Sequence, residues 1–172
     1  MPNTLTRAEN FDGRILGYTR IQNNSTTSAD HGIYPTATLA VLQTAQGTDV
    51  SIAFTVPPSG NVEIIFSGSW YGSSKTLELA LSDNASYNEI DEKHTYDMGL
   101  QSSDETDRNM VVVTWAVSGL TAGDSLTYYI AAAETISGTS NFDHGRFRTG
   151  GKHYPPLTVK AIALPGTIIT GE

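Results

Sequence analysis

Glu63 and Glu78 each sit in a run where polar and apolar residues alternate. Two facing carboxylates are the minimal equipment for cleaving a glycosidic bond, one protonating the leaving oxygen while the other attacks or activates water. Both glutamates fall on the side of their runs opposite the valine, isoleucine and leucine rows, so the pattern predicts that they face solvent. The four histidines, His31, His94, His144 and His153, form no zinc spacing and no His-Glu-x-x-His motif. Asp30-His31-Gly32 and Asp143-His144-Gly145 repeat one tripeptide. No Gly-x-Ser-x-Gly elbow frames a nucleophile beside them, and they read as turn chemistry. A Ser-His-Asp triad is defined by geometry, which spacing leaves open. Asp83, Asn84, Glu89, Asp91 and Glu92, and again Asp104, Glu105 and Asp107, offer hard oxygens for calcium. They lack the Asp-x-Asp/Asn-x-Asp/Asn-Gly order and read as solvated loops. The glycines at 68–72 and 145–151 match no phosphate-binding loop. No catalytic residue, metal or cofactor is expected from these patterns.

Aromatic residues in loops are what remains: Trp70, Tyr71, Tyr87, Phe142, Phe147 and Tyr154. Exposed rings stack on sugars or anchor protein interfaces. Trp70, Tyr71 and Phe142 are the candidates for meeting a partner, and some of the six must cap the ends of the core.

The elements that would carry these residues are strands. The organising stretch is 110–133, with Val111, Val113, Trp115 and Val117 alternating before Gly119–Asp124 and Leu126, Tyr128 and Ile130 after it. Period-two alternation of β-branched and aromatic residues predicts two half-buried strands around a turn, a central hairpin. Val50 to Val56, then Pro57-Pro58-Ser59-Gly60, then Val62 to Ser67 predict a second hairpin. Further strands are expected at Ile15–Ile21, Thr76–Ser82, Thr95–Leu100 and Leu157–Leu164, with 33–42 an edge strand or irregular. Residues 68–74 are expected as a glycine- and serine-rich excursion, and Glu134–Tyr154 as the longest irregular segment. About eight strands and no helical periodicity predict an all-β fold, a sandwich or barrel.

The chain has 172 residues, no cysteine, 16% charged residues and a net charge of −8. That length suits one domain with a core that needs no disulfide. The acidic balance argues against a general nucleic-acid binder and against electrostatic docking to anionic membranes. No apolar run reaches the roughly 20 residues of a membrane-spanning helix. The first residues, MPNTLTRAENFDGR, lack the apolar centre of a signal peptide.

Several short motifs in a fixed order add a resemblance. Leu16-Gly17-Tyr18 opens a strand and a polar loop at 22–30 follows. Val56-Pro57-Pro58-Ser59-Gly60 closes another strand, and Gly119-Leu120-Thr121-Ala122-Gly123 separates two more. Gly150-Gly151, Pro155-Pro156 and Ala163-Leu164-Pro165 complete the series. Over about residues 15–165 the chain resembles a domain of bacteriophage virion proteins, found in tail fibres, tail-tip proteins and head fibres. The resemblance implies an antiparallel jelly-roll-like β-sandwich, usually trimeric, with a structural or adhesive role and no catalytic residues. It divides the chain into an arm at 1–14, the sandwich at 15–165 and a tail at 166–172. Such domains usually follow a long shaft, so the short arm points to a capsid decoration, head fibre or small tail component. Leu5, Arg7, Phe11 and Arg14 of the arm would dock on capsid or tail proteins, after assembly in a bacterial cytoplasm. The alternatives are a module binding host-surface glycan or receptor, a glycan hydrolase, and a fibronectin- or immunoglobulin-like module.

Overall fold

Val62–Tyr71 and Ser125–Glu134 are the two longest strands, and each becomes the centre of a sheet. The computed structural model describes residues 13–22, 32–33, 35–44, 46–71, 76–91, 93–97, 109–134, 141–143, 147–148 and 152–166. In chain order the strands are β1 (Ile15–Ile21), β2 (Gly32–Ile33), β3 (Ala40–Val41), β4 (Ser51–Thr55), β5 (Val62–Tyr71), β6 (Thr76–Ser82) and β7 (His94–Asp97). They continue with β8 (Asn109–Val117), β9 (Ser125–Glu134), β10 (Asn141–Asp143), β11 (Phe147–Arg148), β12 (Lys152–His153) and β13 (Leu157–Ala163). Among the described residues there is no helix, and every pairing between these strands is antiparallel.

The first sheet is built on β5. One side of it carries β8, from Val62 opposite Val117 to Trp70 opposite Asn109. The other side carries β13 along its first half and β10 along its end, with β1 beyond β13 and β2 beyond β10. The second sheet is built on β9, with β6 and then β7 on one side. On its other side β4 and β3 lie in one line, broken by an outward loop at 43–49. That loop leaves and returns beside Ile130. Leu42 donates its N–H to the Ile130 carbonyl, the Ile130 N–H reaches the Val50 carbonyl, and the Val50 N–H closes on Leu42. A separate ladder joins β11 to β12.

The two sheets share one apolar core. Ile64, Phe66, Val113, Trp115 and Val159 enter it from the first sheet, and Ile52, Leu79, Leu81, Tyr128 and Ile130 from the second. Each is at most 4% exposed, so each fully buried aliphatic side chain contributes on the order of 1.5–3 kcal/mol.

Both expected hairpins are arches. β8 and β9 do not pair: β8 joins β5 in the first sheet, and β9 joins β4 and β6 in the second. Likewise β4 and β5 lie in different sheets. The two arches nest, because β5 pairs β8 while β4 pairs β9. Alternation reports only that one face of a strand is buried. Two strands facing one core from opposite sheets therefore carry the same signature as a hairpin.

Two other expectations also change. The excursion at 68–74 is overturned at its start, because β5 runs on through Gly68, Ser69, Trp70 and Tyr71. The segment expected to be irregular, 134–154, contains β10, β11 and β12.

Candidate functional site

Three of the motifs that carry the resemblance, Val56–Gly60, Gly119–Gly123 and Ala163–Pro165, lie far apart in the chain and meet at one end of the molecule. Pro155-Pro156 enters β13 at its other end, beside Ile21, and Gly150-Gly151 and residues 23–30 lie outside the described residues. Pro57–Gly60 closes as a turn, with the Gly60 N–H donating to the Pro57 carbonyl at 2.9 Å and Gly60 at φ +69°. Thr121–Asp124 closes the second arch, with Gly123 at φ +91°. Glycine takes these left-handed conformations without the cost that a Cβ imposes.

The two turns are bonded to each other through their backbones. Leu120 N–H donates to the Gly60 carbonyl at 3.0 Å, Val56 N–H to the Asp124 carbonyl at 2.9 Å, and Gly123 N–H to the Val56 carbonyl at 3.0 Å. A Cβ on Gly60 would stand 2.6 Å from the Leu120 oxygen. The last motif closes the group. Leu164 N–H bonds the Asn61 carbonyl, and the Asn61 side-chain amide donates to the Pro165 carbonyl at 2.9 Å. Asn61 is 6% exposed. This end is therefore held by paired polar groups, which burial makes costly to leave unpaired.

The first strand enters at this same end. Gly13 N–H donates to the Ala163 carbonyl, and Ala163 N–H to the Arg14 carbonyl. The register of β1 on β13 then slips, from Ile15 opposite Ile162 to Gly17 opposite Ala161, which leaves Leu16 as the extra residue of a bulge. Gly17 lies against the second sheet, where a Cβ would fall 2.5 Å from the Ala53 oxygen. The middle residue of Leu-Gly-Tyr thus permits the edges of the two sheets, β1 and β4, to touch.

Two concavities flank Leu16 along this seam. One of about 310 Å³ is lined by Arg14, Ile15, Leu16, Thr55, Val56, Pro57 and Pro58. The other, shallow and about 380 Å³, is lined by Leu16, Ala53, Phe54, Thr55, Ser125, Leu126 and Thr127.

The expected partner-facing aromatics need correction. Trp70 and Phe142 are both 0% exposed. Because β5 continues to Tyr71, Trp70 falls on the core-facing side with Ile64 and Phe66. Phe142 lies opposite it on β10 and meets Phe66 edge to face, with centroids 5.4 Å apart. Tyr71 pairs through its backbone with Asn141, and its side chain lies outside the described residues. Of the proposed docking residues, Leu5, Arg7 and Phe11 lie outside the described residues, while Arg14 is exposed at the rim of the first concavity.

Glu63 and Glu78 do not form a pair. Glu63 projects from the outer face of the first sheet and Glu78 from the outer face of the second, with the core between them. His94 meets Trp115 edge to face at 5.6 Å. His153 pairs in β12 through its backbone, and His31 and His144 lie outside the described residues.

The loop after β6 folds on its own polar groups. Ser82 Oγ donates to the Asn84 carbonyl and accepts from the N–H groups of Asn84 and Asn88. The Asn88 amide donates to Asp83, and the Tyr87 hydroxyl to Glu89 at 2.8 Å. Burial first, then the hydrogen bond to Glu89 and the charges of Glu89 and Glu78, push the Tyr87 phenol up to about 12. Burial, with Asp83 second, also raises Tyr128. Among the described residues no group of three His, Asp or Glu side chains gathers in a way that could hold a metal. Asp104, Glu105 and Asp107 lie outside the described residues.

Sequence reading missed the outer face of the first sheet. Among the described residues, the exposed large apolar side chains, Ile15, Tyr18, Met110 and Val112, all lie on it, each more than half exposed. Their positions alternate with core residues, so the signal was available: Tyr18 and Val112 occupy the outward places in their runs. No model of a known protein family matches this chain, and no curated protein matches it.

Proposed function

We propose that this chain is a non-enzymatic structural protein of a bacteriophage virion, a capsid decoration, head fibre or tail component, whose fold is a jelly-roll-like β-sandwich. The observation that carries the reading is the convergence of three of its motifs. Val-Pro-x-Ser-Gly, Gly-Leu-Thr-x-Gly and Ala-Leu-Pro bond to one another at a single end of the molecule. Leu-Gly-Tyr lies at the sheet seam beside them. Motifs that meet in space form one mechanical unit, which supports treating their order as a signature and not as scattered turns. The arm enters at this end, so Leu5, Arg7, Phe11 and Arg14 would seat the protein on a capsid or tail partner and leave the opposite end outward.

Mass spectrometry of density-banded particles from the bacterium that carries the gene tests this. The expected result is this chain at a fixed ratio to the major capsid protein. Its absence from banded particles would remove the reading. Changing Leu5, Arg7 and Phe11 together to serine is expected to weaken rebinding to stripped particles at least about tenfold.

Adhesion to a host glycan is the second reading. With Trp70 and Phe142 in the core, its support is Tyr18, a half-exposed ring beside Lys160 and Arg20. Loss of cell binding in Tyr18→Ala, with particle incorporation intact, would favour it.

A further inference from the structure

β1 and β13, the strands nearest the two chain ends, lie side by side in the first sheet. They run antiparallel, joined by six residue pairs from Ile15 opposite Ile162 to Ile21 opposite Leu157. Among the described residues β1 pairs with no other strand, whereas β13 is also paired along six residues of β5. Burial divides the same way. Leu157, Val159 and Ala161 of β13 belong to the buried core, while β1 adds only the partly buried Leu16 and Ile21. β1 is therefore held chiefly by one ladder. Residues 13 and 165 both leave at the same end of that ladder, where Gly13 N–H donates to the Ala163 carbonyl and the Asn61 amide to the Pro165 carbonyl. The far end of the sheet carries Met110, opposite Ser69 on β5 and 53% exposed.

We propose that this strand order makes the protein a directional tether. It holds tension applied between its arm and the far end of the first sheet, and yields to tension applied between its arm and its tail. Load in the first direction slides β1 along β13, so all six pairs resist together. The load then passes to β5, where six further pairs act in the same way. Load in the second direction draws Gly13 and Pro165 apart. It meets the ladder one pair at a time, first at Gly13 and Ala163, then at Ile15 and Ile162. A single backbone hydrogen bond adds little once water competes for its groups, so a ladder opened pair by pair presents a low barrier. Forced unfolding follows that barrier. The Lys160 ammonium over the Tyr18 ring, 5.9 Å from its centroid, adds a side-chain link across the ladder. The tether rests on strand order alone, so the particle experiment above stands or falls without it.

Single-molecule force spectroscopy on the full chain tests it. The chain has no cysteine, so Met110→Cys gives one thiol for a handle, with the second handle at the N-terminus. The comparison places handles at the N- and C-termini of the natural chain. At equal loading rate, the unfolding force between the N-terminus and residue 110 is expected to exceed that between the termini at least about twofold. Tyr18→Cys/Lys160→Cys sets a disulfide across a directly opposite pair, whose Cα separation in an antiparallel ladder suits one. Oxidised, this variant is expected to lose the low-force event between the termini, because the disulfide bypasses the chain between residues 18 and 160. Reduction is expected to restore it. Circular dichroism checks that each variant is folded. Equal forces in the two directions, a disulfide that does not form, or a low-force event that survives oxidation would each overturn the proposal.

Discussion

The two ends of β5 are closed by different physics. At its start, turns from distant parts of the chain are joined by backbone hydrogen bonds, and the glycine there, Gly60, is fixed both by φ and by the Leu120 carbonyl. At its finish, the Phe66 and Phe142 rings meet edge to face, and Trp70 is buried opposite Phe142. The glycine there, Gly68, leaves room for side chains: a Cβ would meet Phe142 and Phe66 atoms at 3.1 Å. Hydrogen bonds lose much of their strength to competing water and depend on geometry. Apolar packing scales with buried area and tolerates small shifts. The first end should therefore fail through strain, and the second through cavities.

The largest expected effect lies at the packed end. Phe142→Ala should cost about 3–5 kcal/mol in urea unfolding, as deletion of a buried ring does. Trp70 sharpens the point. Its indole nitrogen is buried with no hydrogen-bond partner among the described residues. Trp70→Phe removes that unpaired donor, whose burial costs about 1–3 kcal/mol, and the gain offsets part of the lost packing. Its net cost should be well below that of Phe142→Ala. Equal costs would mean that the nitrogen is satisfied and that the packed end also depends on polar pairing.

Next comes the turn end. Gly60→Ala should cost roughly 2–4 kcal/mol, combining a left-handed alanine with a 2.6 Å approach to the Leu120 oxygen. Gly119 supplies the control. It has φ +75° but nothing within 4 Å of a Cβ, so Gly119→Ala should cost only about 1–2 kcal/mol. The difference between the two measures turn-on-turn docking alone. If they are equal, the two arches do not depend on that contact. Asn61→Ala should fall in the same range as Gly119→Ala, about 1–2 kcal/mol, through loss of the amide bond to Pro165 in a buried site.

This contrast also explains what could be read before the structure was known. Ile15–Ile21 was legible as a strand from its β-branched and aromatic residues, Ile15, Tyr18, Thr19 and Ile21, although the bulge at Leu16 breaks its alternation, and the fold class followed from the more regular runs. The arches were not legible. Nothing local in Val111–Val117 or Leu126–Ile130 records whether the partner strand lies beside or across the core. Trp70 was misplaced for a related reason. Gly68 and Ser69 look like loop residues, yet the missing Cβ of Gly68 is what admits the Phe66 and Phe142 rings against the strand. The turn end was legible only as separate motifs. Their meeting depends on contacts between residues as far apart as Asn61 and Pro165. The outward face with Tyr18 and Val112 could have been found from the same alternation that located the core, by following the other phase.

The smallest effect concerns neither end and serves as a baseline for both. Tyr87 sits in the loop after β6 at φ +66°, its hydroxyl bonded to Glu89, which also pairs with Lys93 at 3.4 Å. The folded phenol holds its proton to about 12, whereas an unfolded one releases it near 10. The folded pKa is the higher, so the stabilisation is fully present below pH 10 and is lost as pH rises from 10 to 12. Difference spectrophotometric titration against Tyr87→Phe should therefore show one late-ionising phenol missing, with the rest of the curve unchanged. If the missing component instead titrates near 10, the hydroxyl is not held by Glu89 in solution. The loop would then add nothing to the pH response, and alkaline loss of structure would have to be sought at Tyr128, inside the core shared by the two sheets.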